Sequence, residues 1–180
     1  MLKNRARLVL ALVAAALAAA SAGAYDRKDV ARAKNTRQIA ECVRCDLSSA
    51  DLRDGFFQLA NLIEANLSRG KFDGANMAGV QLNNANLSNA SFIYTNLSGA
   101  RLEGADARGA DFRNAWFNWA WFAGAKLDGA NFTNAHMIGA QLQGADLSKV
   151  VGLSASQLRF ACGDADTRLP PGIDAPRCPY

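Results

Sequence analysis

The chain has 180 residues, with 20 Lys and Arg against 16 Asp and Glu, one His, and a formal net charge of +4. Three of those bases, Lys3, Arg5 and Arg7, sit at the extreme N-terminus, and setting these 3 aside turns 20 bases into 17 against 16 acids. That balance excludes a strong general attraction to nucleic acid.

Residues 1–24 read as a signal peptide. The basic start leads into an apolar run from Leu8 to Ala20, too short to span a bilayer comfortably, and then into two Ala-x-Ala sites, Ala20-Ser21-Ala22 and Ala22-Gly23-Ala24. The expectation is export to the periplasm or the cell exterior, with no stable membrane insertion after cleavage. Residues 25–44 are charged and compatible with helix, and predict a short N-terminal helical cap on the segment that follows. Cys42-Val43-Arg44-Cys45 has the CxxC spacing, which fits thiol exchange, half of a zinc site or a structural bridge. Thiol exchange of the thioredoxin kind needs a βαβ setting that is absent from this sequence.

From Cys45 to Lys149 one five-residue phrase repeats twenty-one times without an insertion, as in Ala-Asn-Leu-Ile-Glu at 60–64, Ala-Asn-Leu-Ser-Asn at 85–89, Ala-Asp-Phe-Arg-Asn at 110–114 and Ala-Asp-Leu-Ser-Lys at 145–149. The third position is Leu, Phe or Met everywhere except Ala107, and the first is Ala or, at five places, Cys45, Gly55, Gly70, Val80 or Thr95. One small and one large inward residue per five fit neither the helical period nor strand alternation. A short period held this long predicts a solenoid, each turn burying its apolar groups against the next. The Asn and Asp residues at outward positions are expected to do turn chemistry and to stack in hydrogen-bonded columns.

This run resembles the pentapeptide-repeat family, whose consensus is Ala-(Asp/Asn)-Leu-x-x. The resemblance implies an all-β fold, a right-handed quadrilateral parallel β-helix with four quintets per turn, here closed by short helical caps at both ends. Steps of twenty then sort the third positions into four buried columns, one of which reads Leu52, Phe72, Phe92, Phe112 and Phe132. The turn holding Ala107 also holds Phe112, Phe117 and Phe122, so Ala107 is expected to be small because three rings fill its layer. Five turns at about 4.8 Å would put Cys42 and Cys45 roughly 25 Å from Cys162 and Cys178, too far for a shared zinc site.

After Lys149 the phase breaks, and residues 150–180 predict a C-terminal helix followed by a disulfide-closed cap. Ser154 and Gln157 have capping-box spacing, and a bridge from Cys162 to Cys178 would close a polar, proline-broken loop, worth about 3 kcal/mol in the chain-entropy account. Two local disulfides are therefore expected, with the pairing of Cys42 to Cys45 left open.

No catalytic group, metal site or cofactor is expected, since His136 and the carboxylates fall in outward columns with turn roles available and no acid, base and nucleophile meet. Trp116, Trp119 and Trp121 are the candidate contact patch, with Arg101 and His136 beside them in the twenty-residue register. Mutual packing is the bland account of three clustered indoles, but Trp is enriched at the energetic centres of interfaces. The sequence thus predicts a non-catalytic exported scaffold that binds a protein partner or itself, the alternative being a glycan or cell-wall-binding module on the same indoles. DNA mimicry toward topoisomerases, known in some members of the family, needs an acidic surface and a cytoplasmic setting that this sequence lacks.

Overall fold

The computed structural model describes residues 26, 28–30, 41–174 and 178. The predicted signal peptide and most of the predicted N-terminal cap lie outside these residues. In each quintet the first position is the small inward residue, the second pairs with its neighbours, the third is the large inward residue, and the fifth turns the corner.

Second-position residues form single parallel bridges to the residue twenty further on, from Glu41 with Asn61 through Asn131 with Val151. Four quintets therefore make one turn of a four-sided coil. Its corners have a specific backbone: every quintet, from the one ending at Arg44 to the one ending at Gly144, closes on a residue with φ between +55° and +73°. A hydrogen bond from the next quintet's first residue back to the third position closes each corner, as in Ala75 N–H to Phe72 O at 3.0 Å. That geometry is a turn with a left-handed third residue, which Gly and Asn accept most readily.

The remaining backbone N–H groups are satisfied between turns. Phe72 N–H donates to Ser91 O at 2.8 Å, Ser91 N–H to Gly70 O at 2.9 Å and Gly74 N–H to Ile93 O at 2.8 Å. In these quintets the fourth-position N–H has no carbonyl, and where the second position is Asn or Asp that side chain can accept it, as in Ser88 N–H to Asn86 Oδ1 at 3.0 Å and Thr133 N–H to Asn131 Oδ1 at 3.0 Å. The Asn and Asp columns thus take up backbone donors that the interturn ladder leaves over.

The axis is filled by the two inward positions. Phe72 stacks on Phe92 at 5.1 Å between centroids and Phe92 on Phe112 at 5.3 Å. Thr95, the one first-position hydroxyl in the repeat run, is fully buried and donates to Phe72 O at 2.8 Å. Charge stays outside, in pairs within a quintet such as Arg108 with Asp106 at 2.6 Å and Arg53 with Asp51 at 2.7 Å. The hydrogen bonds from those guanidinium groups hold the Asp106 and Asp51 carboxyls below the usual carboxylate range.

The ends differ from expectation. On the N-terminal side residues 28–30 form the helical element among the described residues, and the coil already includes Glu41 to Arg44, which the sequence assigned to the cap. Cys42 fills the large inward position and Cys45 the next small one, and the two are bonded with Cα atoms 5.2 Å apart. Asp29 continues the ladder past the end by accepting the Asp46 N–H at 2.9 Å.

On the C-terminal side the coil continues to Val151 in register and rejoins at Cys162 and Arg168, which bridge to Gln141 and Asp146. The intervening Ser154–Phe160 segment makes consecutive turns rather than the predicted helix. The Ser154 and Gln157 contact does form, with Ser154 N–H donating to Gln157 Oε1 at 2.9 Å, but Gln157 also donates its amide to Phe132 O at 2.8 Å and Ala135 O at 2.9 Å. Leu158 is drawn into the axis, 2% exposed. A chain that must bury Leu158 and re-enter the ladder four residues later has no length for a helix. Cys178 is bonded to Cys162, Cα atoms 4.5 Å apart, which ties the tail to the last turn.

Ala107 is fully buried in the layer where Phe117 lies 5.0 Å from Phe112 and 5.1 Å from Phe122. Ala107→Leu is expected to lower stability by about 1–3 kcal/mol through overpacking, and Phe112→Ala by about 3–5 kcal/mol through the cavity it leaves. Denaturant titration of the two variants checks both; a higher midpoint for Ala107→Leu would show that the layer holds a void.

Candidate functional site: an exposed tryptophan patch

The coil dictates what its outward positions should hold. Second positions favour Asn or Asp, which accept the fourth-position N–H, and corners favour Gly or Asn, which accept positive φ. Trp116 and Trp121 occupy second positions, and Trp119 occupies a corner at φ +61°. Each indole displaces the residue type that the backbone prefers. With Trp116 and Trp121 in place, the Asn118 and Ala123 N–H groups make no hydrogen bond to another described residue. Trp119 meets the steric cost of the left-handed conformation, about 1–2 kcal/mol for a residue without a short polar side chain.

The three rings remain accessible, at 48% for Trp116, 64% for Trp119 and 45% for Trp121. Trp119 lies over Gly139: a Cβ there would fall 2.5–2.7 Å from three indole carbons, whereas a Cβ at Gly99, one turn below, would meet nothing within 4 Å. The ring therefore leans toward the C-terminal end and leaves Gly99 bare. Trp116 meets the His136 ring edge-on, centroids 6.4 Å apart. Arg101 bridges to Trp121 through the backbone, but its guanidinium turns to Glu103 at 3.2 Å rather than to the indole. The cation–π contact found among the described residues is that of Arg159 with Phe160, at 5.5 Å.

The structure adds residues that the sequence reading did not single out. Trp116 and Trp119 lie on the side of the coil whose buried centres are Phe57, Met77, Leu97, Phe117 and Met137, hereafter the Phe117 side. Phe56, Leu59 and Ile138 lie exposed on the same side, and Phe160 follows it at the C-terminal end, its carbonyl accepting the Gly139 N–H at 2.9 Å. Tyr94 flanks that side at one corner, as Trp121 does beyond the other. Like Trp119, Leu59 and Tyr94 hold positive φ, +58° and +57°. Stepping by twenty from Trp116 or Trp119 reaches Phe56 and Leu59, so these two were legible; Phe160 was not, because the register shifts before it.

Among the described residues no three His, Cys, Asp or Glu are placed to hold a metal ion, and no helix is long and apolar enough to cross a membrane. The geometry offers a contact surface.

A family model for pentapeptide repeats matches residues 40–79, 85–120 and 117–151 in eight copies. Among solved structures, a pentapeptide repeat protein from the Arabidopsis thaliana thylakoid lumen is similar at 26% identity over 63% of this chain and 77% of that one, with a TM-score of 0.53. A pentapeptide repeat protein from Nostoc is similar at 27% identity over 66% of this chain and 77% of that one, TM-score 0.32. A plasmid-mediated fluoroquinolone resistance protein aligns at 18% identity over 69% of this chain and 88% of that one, TM-score 0.33. No curated protein sequence matches the chain.

Because the second position calls for a side-chain acceptor, Trp116→Asn is expected to be more stable than Trp116→Ala by about 1 kcal/mol. Thermal melts of the two variants side by side check this. Equal midpoints would mean that the Asn118 N–H is served as well by water.

Proposed function

We propose that this chain, which belongs to the pentapeptide-repeat family, is a non-catalytic exported scaffold that presents Trp116, Trp119 and Trp121 to a protein partner. The family forms right-handed quadrilateral β-helices and consists in general of non-enzymatic structural and interaction proteins. The single observation that carries the contact patch is that all three indoles stand where the coil prefers Asn, Asp or Gly. Side chains that work against their own backbone positions, and that remain about half exposed, are explained by what they touch outside the fold.

Export is supported by the leader-like residues 1–24 and by both cysteine pairs being bonded, Cys42 with Cys45 and Cys162 with Cys178, as suits an oxidising compartment. The Arabidopsis relative works in a lumen, a further compartment beyond a membrane. The second reading, a glycan or cell-wall module, is favoured by Trp119 lying over Gly139, which gives a sugar ring a flat platform.

The test is crosslinking of the full-length protein in its native envelope, with identification of what is attached, for the wild type and for Trp116→Asn/Trp121→Asn, a variant chosen because Asn suits both positions. The expected result is a species captured by the wild type and lost from the variant. The same captured species in both would overturn the patch. Indole fluorescence against a broad sugar panel separates the second reading, which predicts a shift.

A further inference from the structure

The Phe117 side is distinguished by what it lacks. From Phe56 to Gly139 its outward residues are Phe56, Gln58 and Leu59, then Asn76, Ala78 and Gly79, then Asn96, Ser98 and Gly99, then Trp116, Asn118 and Trp119, then His136, Ile138 and Gly139. None is Asp, Glu, Lys or Arg. The ion pairs of the coil, Arg44 with Glu64, Arg53 with Asp51, Arg101 with Glu103, Arg108 with Asp106, Arg113 with Asp111 and Lys149 with Asp128, lie on the other three sides. Exposed apolar groups are distributed the opposite way. Of the ten large hydrophobic residues exposed among those described, Phe56, Leu59, Trp116, Trp119, Ile138 and Phe160 lie on or in line with this side, Tyr94 and Trp121 flank it, and Val43 and Val151 lie elsewhere.

Area narrows the occupant. Whole aromatic side chains account for about 150–250 Å² each, so eight large groups that are about half exposed offer several hundred Å². Together with the neutral groups between them, they come close to the roughly 800 Å² per partner of a standard interface. Charge narrows it further. A partner surface bearing ions would bury them here with nothing to pair them, which is costly. The occupant must be largely uncharged over several turns, and a surface in hand with that property is this side of another copy.

Relief decides how two copies would meet. Along the coil the side is raised at Phe56 and Leu59, recessed through Asn76, Ala78, Gly79, Asn96, Ser98 and Gly99, and raised again from Trp116 to Phe160. Two sides packed with coil axes parallel would set indole against indole and leave the recess empty. A two-fold axis in the interface plane, perpendicular to the coil and level with the gap between Ser98 and Asn118, does the reverse. It sets Trp116 against the partner's Asn96 and Ile138 against its Ala78, turns the Trp119 ring, which lies over Gly139, toward the partner's Gly79 and the Leu59 side chain above it, and brings Phe160 to the partner's Phe56 and Leu59 end. An isologous contact makes every such pairing twice.

Building on the proposed contact patch, we propose that its partner is a second copy of this chain, docked face to face and antiparallel through the uncharged Phe117 side. Sedimentation equilibrium of the full chain with both disulfides formed tests it. The expected result is a reversible dimer that changes little between ~0.05 and ~0.5 M salt, since the side carries no Asp, Glu, Lys or Arg from Phe56 to Gly139 and Arg159, over the Phe160 ring, is a charge only at its edge. Ser98→Lys, which places an ammonium opposite the partner's Asn118, should weaken the dimer by at least about tenfold through an unpaired buried charge. Ser88→Lys, at the matching position of a different side, where Ser88 makes the same turn to Asn86 that Ser98 makes to Asn96, should leave it intact. A wild type that stays monomeric at ~100 μM, where contacts of useful strength are filled, would overturn the inference. So would a dimer that Ser98→Lys spares, that Ser88→Lys weakens equally, or that salt dissociates. A monomer that still loses its captured envelope partner in Trp116→Asn/Trp121→Asn overturns the second copy while leaving the patch standing. A monomer whose indole emission shifts with a neutral oligosaccharide overturns it in favour of a sugar platform.

Discussion

The whole molecule depends on one constraint: each quintet must turn a right angle and still hand most of its N–H groups to acceptors. The left-handed corner makes the turn, and the interturn ladder takes most of the donors. A second-position Asn or Asp can take another, as Asn96 does for the Ser98 N–H at 3.1 Å. Once those conditions hold, a quintet has two inward positions and no freedom to vary its length. That is why the phase survives a hundred residues and why it can be read at all. A deletion of one residue would rotate every later side chain off its column, much as a one-residue slip inverts a strand.

The ends show what happens where the conditions lapse. At the start, Cys42 stands in for a large inward residue and Asp29 supplies the carboxylate that receives the Asp46 N–H. At the finish the register slips by one residue at Cys162 and by two at Arg168, yet Thr167 still donates to Leu142 O at 2.9 Å, as Thr95 does to Phe72 O earlier in the coil. The same hydroxyl device appears in an ordered turn and in an irregular one, so the last turn belongs to the coil. Asp164 closes it, accepting the Gly144 N–H at 3.0 Å and sharing with Leu142 O the one proton of the Thr167 hydroxyl, 2.9 Å away, and those donors hold its carboxyl below the usual range. Its contribution is accordingly present above the ordinary carboxylate range and fades only as acid reaches its lowered value.

The period, the buried columns and the smallness of Ala107 were legible because they are properties of inward residues repeated many times. The coil residues Glu41 to Arg44 were missed because Cys42 hides in a column otherwise filled by Leu and Phe. The helix expected after Ser154 failed for a different reason: the local signal is genuine, but the open coil end competes for Gln157 and Leu158 and wins. The candidate site was legible only in part. Trp116, Trp119 and Trp121 are conspicuous by type, whereas their conflict with their own positions became visible only when the corner φ values and the fourth-position N–H groups could be accounted for. The gathering of Phe56, Leu59 and Ile138 with them was available from the register, but Phe160 required coordinates.

A coil of this kind suits recognition by rigid surfaces. Its backbone is fixed at every corner and ladder position, so side chains on one side hold a spacing of about 4.8 Å per turn without a hinge to absorb error. Binding through such a surface gives up little chain entropy, because ordering was completed on folding. The same stiffness removes the usual way of hiding apolar groups, since among the described residues no loop on the Phe117 side closes over Trp116 or Ile138. Indoles left exposed by the described residues, at positions the backbone would rather assign to Asn and Gly, are the physical ground of the proposed contact patch.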